Sequence, residues 1–388
     1  MRRALAFTAI VVSSAASARV AEAQVRVATL EKPAIALDLY GWVMPRLVIT
    51  PPGDYTGERT DAQFSVPQSR LGAVATLGRW AEMHTEVELA GFFTSVSVPF
   101  VLDAYVTFTP HRSRSFGVDV TLGRFRVPIS RQNLLQPLGL QTPLPIGRPS
   151  LLPDRHTGGM LGLDILDRKI RLLAGVYNGW WGSFQRPGVP ITVPDDIDAP
   201  WLLYAGRLEL QPFGPAPSFE GDARPVARRR KPALAIGASV LRTGASYEVF
   251  LPGPLGDHEV GEFGTTAWGA DLGFWFAGAS FYGEFLYIVQ NATSEPTTAP
   301  VLLFNRRSFT ANAQLGYFLP FGPLREHLEI VARAQLLNDG DGGVEELYAD
   351  AGANVFFDRG HRLKMQLFYG SGPQFDIHRV TLQATAGF

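Results

Sequence analysis

Two-residue alternation sustained over the C-terminal third constrains this chain more than any other feature. Between His327 and Leu337, Leu328, Ile330, Ala332, Ala334 and Leu336 fall on one face of an extended strand, while Glu329, Arg333 and Gln335 fall on the other. Over Glu345–Phe357, Leu347, Ala349, Ala351, Ala353, Val355 and Phe357 oppose Tyr348, Asp350 and Asn354. Over Arg362–Tyr369, Leu363, Met365, Leu367 and Tyr369 oppose Lys364, Gln366 and Phe368. The last segment, Ile377–Phe388, sets Val380, Leu382, Ala384, Ala386 and Phe388 against Arg379, Thr381, Gln383 and Thr385. Successive strand side chains point to opposite faces, so each segment suits a wall with lipid on one side and water on the other.

Similar segments occur near 306–319, 279–289, 265–276, 233–243, 201–211, 170–178, 157–166, 117–125, 101–109, 83–92, 68–78 and 35–47. That makes about sixteen strands, an even number as single-chain bacterial barrels require. Short links at 79–82, 110–116, 167–169, 277–278, 320–326 and 358–361 alternate with longer ones at 48–67, 126–156, 179–200, 244–264 and 290–305. Short periplasmic turns and long outer loops are the asymmetry of outer-membrane barrels. The expected fold is therefore all-β: a transmembrane antiparallel barrel in the bacterial outer membrane, its third outer loop folded inward. Tyr40, Trp42, Tyr177, Trp180, Trp181, Trp275, Tyr282, Tyr287 and Tyr317 lie near strand ends and read as girdles at the two lipid interfaces. Phe388 reads as the terminal signal for the barrel assembly machinery. Residues 212–232 break the pattern, being a Pro-rich and basic link on the short-turn side, with Arg224, Arg228, Arg229, Arg230 and Lys231. They read as a solvated loop, or as a contact with an anionic polymer or phospholipid.

The N-terminus reads as an export signal over residues 1–23, with Arg2 and Arg3, an apolar run from Ala4 to Ala16, and Ala21-Glu22-Ala23 before cleavage. The apolar run is too short to span a bilayer, which takes roughly 20 residues. Residues 24–388 then form the barrel. Without Arg2, Arg3, Arg19 and Glu22 the chain keeps 32 basic and 35 acidic groups, a net charge near −3. Such a balance excludes nucleic acid as a natural partner. The chain has no Cys, so disulfides do not hold it; a closed ring of backbone hydrogen bonds in lipid does so without them.

Inward positions carry mixed charge. Arg70, Arg171, Arg207, Arg333, Lys364 and Arg379 stand among Glu86, Glu88, Asp103, Asp119, Glu209, Asp271, Glu284, Glu329 and Asp350, as the lining of a water-filled lumen would. The link from Arg124 to His156 is distinct. It carries Arg124, Arg126, Arg131, Arg148 and Arg155 against Asp154 alone, and it is rich in Leu and Pro. So apolar a loop is expected to fold against the inner wall, placing guanidinium groups at a narrowing that favours anions. The competing expectation is that these arginines pair with acidic groups opposite and fix the loop.

The run Leu122-Gly123-Arg124-Phe125-Arg126-Val127-Pro128-Ile129, followed by a long loop ending Arg155-His156-Thr157-Gly158-Gly159, resembles the phosphate-selective porin O and P family. The resemblance implies a sixteen-stranded trimeric channel with a third loop folded inward and basic residues along the path. By position it carries over to Arg124, Arg126 and Arg155. The chain departs from that family in having four lysines, Lys32, Lys169, Lys231 and Lys364.

HExxH, GxSxG and P-loop motifs are absent, and no two histidines have helical ligand spacing, so no catalytic residue, cofactor or metal ligand is expected. The expectation is a passive, non-enzymatic channel for small hydrophilic solutes with an anion (phosphate-like) preference, surrounded by outer-membrane lipid. The alternatives are a barrel enzyme (lipid hydrolase or protease) and a structural or adhesive surface barrel.

Overall fold

A computed structural model describes residues 25–30, 34–52, 60–90, 100–143, 154–179, 191–192, 202–221, 231–250, 258–294, 306–338, 345–358, 362–372 and 377–388. The export segment, Arg148, Trp180, Trp181 and Arg224–Arg230 lie outside the described residues.

The strands are β1 (Val25–Leu30), β2 (Ile35–Thr50), β3 (Asp61–Leu77), β4 (Ala81–Glu88), β5 (Phe100–Arg112), β6 (Phe116–Arg126), β7 (Arg155–Ile165), β8 (Ile170–Tyr177) and β9 (Ile191–Thr192). They continue with β10 (Leu203–Leu210), β11 (Ala233–Phe250), β12 (His258–Phe276), β13 (Ala279–Ser294), β14 (Arg306–Phe318), β15 (Leu328–Asn338), β16 (Glu345–Phe356), β17 (Leu363–Gly372) and β18 (Ile377–Gly387). Each pairs antiparallel with its neighbour from β2 to β8, β8 pairs with β10, and the run continues to β18. The seam closes where β18 meets β2, from Val380 opposite Ile49 to Gly387 opposite Trp42. The result is a closed sixteen-stranded barrel, as the alternation requires. A closed ring leaves no strand edge unpaired in lipid, where an unsatisfied peptide group costs several kcal/mol.

Two strands lie outside the ring. β1 pairs with Ile35–Leu39 of β2, and β9 pairs with Val249 and Glu248 of β11. The sequence gives no alternation strong enough to mark either. β3, β11 and β12 also run further toward the long-loop end than the alternation does, with Gly244–Phe250 laddered to His258–Gly264. Beyond the lipid, backbone pairing continues in water and no longer needs an apolar outward face.

The two faces separate as expected. Ile330, Leu367, Tyr369 and Leu315 are exposed, while Glu329, Arg333, Lys364 and Gln366 are buried inside the ring. So much exposed apolar surface, contributed by every ring strand from β3 to β18, marks a lipid-facing wall. The β12–β13 turn consists of Ala277 and Gly278, both with positive φ (51° and 86°). This backbone matches the twist of a two-residue hairpin. The girdle expectation is corrected in part. Tyr40, Trp42, Tyr177, Trp275 and Tyr282 are buried in the lumen, and of that set Tyr317 is exposed on the outer wall. Strand-end position alone does not tell the two faces apart; parity does, since Trp275 shares a face with Asp271 and not with the exposed Phe274.

Candidate permeation site

After β6 the chain turns into the barrel. Ser130 accepts the Asn133 N–H on its Oγ at 3.0 Å and caps a one-turn helix, α1 (Arg131–Leu134), and a 3-10 turn follows at Pro137–Gly139. Apolar residues explain the direction. Val127 and Ile129 pack with the inward Phe125, Tyr177, Leu203, Leu241, Leu286 and Ile288, and Leu138 packs with Tyr40, Trp42, Met44 and Val74. The loop thus covers apolar wall that a hydrated lumen would leave wet.

Polar bonds fix its far end. Gln141 Nε2 donates to Ser280 (2.8 Å) and Glu329 (2.6 Å), and its carbonyl accepts from Asn354 (2.9 Å) and Gln366 (3.1 Å). Lys364 Nζ donates to the carbonyls of Leu138 (2.9 Å) and Leu140 (2.7 Å). Arg333 reaches Thr142 (3.0 Å), and Arg46 reaches the Pro143 carbonyl (2.6 Å). The segment 127–143 therefore spans the lumen from β6 to β15, β17 and β2.

The arginines of the basic loop separate into different environments. Arg126 donates to the carbonyls of Asn133 (2.7 Å) and Leu135. Arg155 is buried and binds Asp103 (2.8 Å), Asp154 (2.6 Å) and Glu86 (3.5 Å). Arg131 is buried against Glu209 (3.1 Å), gives a hydrogen bond to the Pro217 carbonyl (2.5 Å) and lies 5.1 Å from the Trp275 ring centroid. Arg124 is a correction to the expected path. It shares a cross-strand row with the exposed Ala104 and Thr157, on the face of β6 away from Thr121 and Phe125.

The wall cations are paired as well. Arg70 binds Glu88 (2.8 Å) and Glu86 (3.0 Å); Arg207 binds Asp271 (2.6 Å) and Glu209 (3.2 Å). Arg333 binds Asp350 (2.5 Å), and Arg379 approaches the same carboxylate at 3.5 Å. Arg171 differs: its side chain is 46% exposed and lies 3.5 Å from Asp164. Buried charges need such partners, because desolvating either ion alone costs several kcal/mol.

Between the inward loop and strands β4–β8 a cavity of about 240 Å³ remains. Asp103, Asp119, Arg126 and Arg171 line it, with His84, Tyr105, Leu134 and Gln136 among the other lining residues. Beside it the register Glu86 opposite Asp103 brings His84, Glu86 and Asp103 together, their potential ligand atoms within 4.8 Å of one another. The sequence did not reveal this cluster, because it arises across strands and not from helical spacing. Its polar atoms are already engaged by protein groups. Tyr40 and Tyr105 contact the two His84 nitrogens (2.5 and 3.1 Å), Arg70 and Tyr40 serve Glu86 (3.0 Å each), and Arg155 spans Asp103. Arg70 and Arg155 supply the positive charge that a cation would bring.

Of the 212–232 link, the described stretch 212–221 departs in part from the solvated loop that its composition suggests. Pro217, Glu220 and Gly221 are buried, and Gln141, Gln132 and Gln314 bond to Glu220. Lys231 is exposed.

No family model matches the chain, and no curated protein does. Solved structures resemble it in fold. An anion-selective porin from Comamonas acidovorans aligns over 91% of this chain and 100% of its own, at 14% identity and a TM-score of 0.57. OmpT, an outer-membrane protein of Vibrio cholerae in its trimer form, aligns over 91% and 99% at 12% identity, with a TM-score of 0.56. OmpF of Salmonella typhi, in complex with daunomycin, aligns over 94% and 100% at 13% identity, with a TM-score of 0.54. At these identities the likeness is one of architecture: this chain is an outer-membrane β-barrel of porin-like form.

Proposed function

We propose that the barrel is a passive, non-enzymatic diffusion channel for small hydrophilic solutes, with a weak preference for anions. The observation that carries the proposal is the charged cavity between β4–β8 and the inward loop, lined by Asp103, Asp119, Arg126 and Arg171 inside a ring with an apolar outer face. A hydrated solute entering such a space exchanges part of its water for polar side chains.

The sign of the preference follows from what each charge already binds. Asp103 is held by Arg155, and Asp119 by Arg112 (2.9 Å) and Thr109 (2.7 Å). Arg126 has carbonyl partners in the loop, and Arg171, 3.5 Å from Asp164, keeps nearly half its side chain exposed. The least compensated charge facing the cavity is therefore positive. Arg126 and Arg171 carry the preference, whereas Arg131 and Arg155 hold the loop. The selective porin from Comamonas acidovorans supports the same direction.

The proposal includes a homotrimer, supported by the trimer form of the Vibrio cholerae protein, and Phe388 as the assembly signal. The Phe388 N–H donates to the Gly41 carbonyl at 3.0 Å beside the closing seam. The enzyme alternative gains no specific support. Among the described residues, His84, His327 and His378 bond to Tyr40 and Tyr105, to the Phe356 carbonyl and to Tyr369, respectively.

Single-channel recording of the refolded protein across a KCl gradient tests the proposal. Ohmic steps with a reversal potential on the anion side are expected. A correctly folded barrel that passes no current would overturn it.

A further inference from the structure

The link from β10 to β11 lies at the short-turn end, since Leu210 pairs with Ile170 beside the 166–169 turn and Ala233 pairs with Trp275 beside Ala277-Gly278. The 78–80, 113–115, 166–169 and 277–278 turns at this end are two to four residues long; the described part of this link enters the lumen. Glu220, fully buried, is the junction. Its carboxylate accepts from Gln132 Nε2 (2.5 Å), the Gln141 N–H (2.8 Å) and Gln314 Nε2 (3.0 Å). Its N–H donates to the Gly139 carbonyl (3.0 Å), and its carbonyl accepts the Trp275 indole N–H (2.7 Å). Alongside, the Pro217 carbonyl accepts Arg131 Nη2 (2.5 Å), and a Cβ on Gly139 would stand 3.1 Å from the Ser218 carbonyl oxygen.

These partners fall into two groups. Gln132, Gly139, Gln141 and Arg131 belong to the inward loop; Gln314 and Trp275 belong to the wall. Burying a carboxylate is costly unless its oxygens are fully engaged, so the arrangement is a built junction between two segments that enter from opposite ends. The loop it grips also carries Leu134 and Gln136, which line the cavity.

We propose that residues 211–221 form a second constriction element, entering from the periplasmic end and latched to the inward loop by Glu220, so that the latch helps to set the channel's conductance. With the latch made, the loop is clamped from both sides and the opening stays narrow. With it broken, the stretch from Arg131 to Gln141 loses partners on one flank and can retreat. This inference rests on the channel reading above.

The test compares single-channel conductance of the full chain with Glu220→Ala, Glu220→Gln and a variant in which residues 212–221 are replaced by a short Gly-Ser link. The chain lacks Cys, so Gly139→Cys with Ser218→Cys offers a cross-link in a clean background. Conductance is expected to rise on the order of twofold or more in Glu220→Ala and in the replacement variant, less in Glu220→Gln. The cysteine pair is expected to cross-link under oxidation and to hold conductance at or below the unmodified level until reduced. Unchanged conductance in folded Glu220→Ala and in the replacement variant would overturn the latch, as would a cross-linked pair whose conductance rises above the unmodified level. If the unmodified chain and every variant are folded yet silent, the channel reading fails, and the latch with it.

Discussion

Lys364 and Leu138, far apart in sequence, meet inside the barrel: the buried ammonium group of Lys364 donates to the Leu138 carbonyl at 2.9 Å and to Leu140 at 2.7 Å. A cation here answers backbone carbonyls, fixing the far end of the inward loop to β17. Lys364→Met keeps most of the apolar stem but leaves two carbonyls without their donor. A loss of about 1–3 kcal/mol in unfolding free energy is expected, the cost of unsatisfied buried acceptors. Urea unfolding in micelles measures it, and noisier open-channel current should accompany it. Unchanged stability would mean that the loop is held chiefly by its apolar contacts.

Arg126 and Arg131 lie in the same basic loop yet should behave oppositely. Arg126 lines the cavity with carbonyl partners, whereas Arg131 faces Glu209 at 3.1 Å. Arg126→Gln is expected to move the reversal potential toward cation preference. Arg131→Gln is expected to leave selectivity near its starting value while weakening the fold, because Glu209 loses one of its guanidinium partners. If Arg131→Gln abolished anion preference and Arg126→Gln did not, the assignment of charges to the cavity would be wrong.

Asp103 joins the same wall to Arg155 through two bonds, 2.8 and 3.2 Å. Asp103→Asn removes the charge that faces a buried guanidinium, although Asp154 and Glu86 remain near it. A destabilisation of about 1–3 kcal/mol is expected, below the full cost of an orphaned buried charge. Denaturation midpoints of Asp103→Asn and the double variant Asp103→Asn/Arg155→Gln decide the matter. If the coupling is real, the double variant loses less than the sum of its parts.

The barrel was legible because lipid demands an apolar outer face, and Leu363 to Tyr369 and Leu328 to Leu336 present one at every second residue, although Phe368 and Val331 put apolar groups on the lumen face as well. The inward course of the basic loop was legible in its Leu and Pro content, Leu134, Leu135, Leu138 and Leu140 included; the contacts of Val127 and Ile129 with the inner wall came only with the fold. What the loop touches was not legible. Whether Arg131 faces solute or Glu209 depends on strand register around a closed ring, and no local pattern encodes it. Glu220 was hidden for a related reason: its neighbours Pro215, Pro217 and Gly221 read as an exposed linker, and its partners come from three remote parts of the chain. The His84–Glu86–Asp103 cluster escaped because its members converge across strands.

Gly316 gives the sharpest test of how closely the inward loop approaches the wall. A Cβ at this position would overlap Gln141 Nε2 and stand 2.6 Å from Ser280 Oγ and 2.9 Å from Glu329 Oε1. The glycine therefore provides the space in which Gln141 crosses to its partners. Gly316→Val must displace that amide, removing donors from Glu329 and Ser280 and the side-chain carbonyl that Gln314 uses. Loss of this anchor is expected to raise conductance and expose the loop to protease, with the barrel itself retained. Gly206→Ala is the control, since its nearest neighbour, a Val240 methyl group, lies at 3.7 Å, an ordinary van der Waals contact. If both variants matched the unmodified chain in conductance and cleavage, Gln141 would not be the anchor; if both changed alike, the effect would belong to the barrel wall in general and not to the loop.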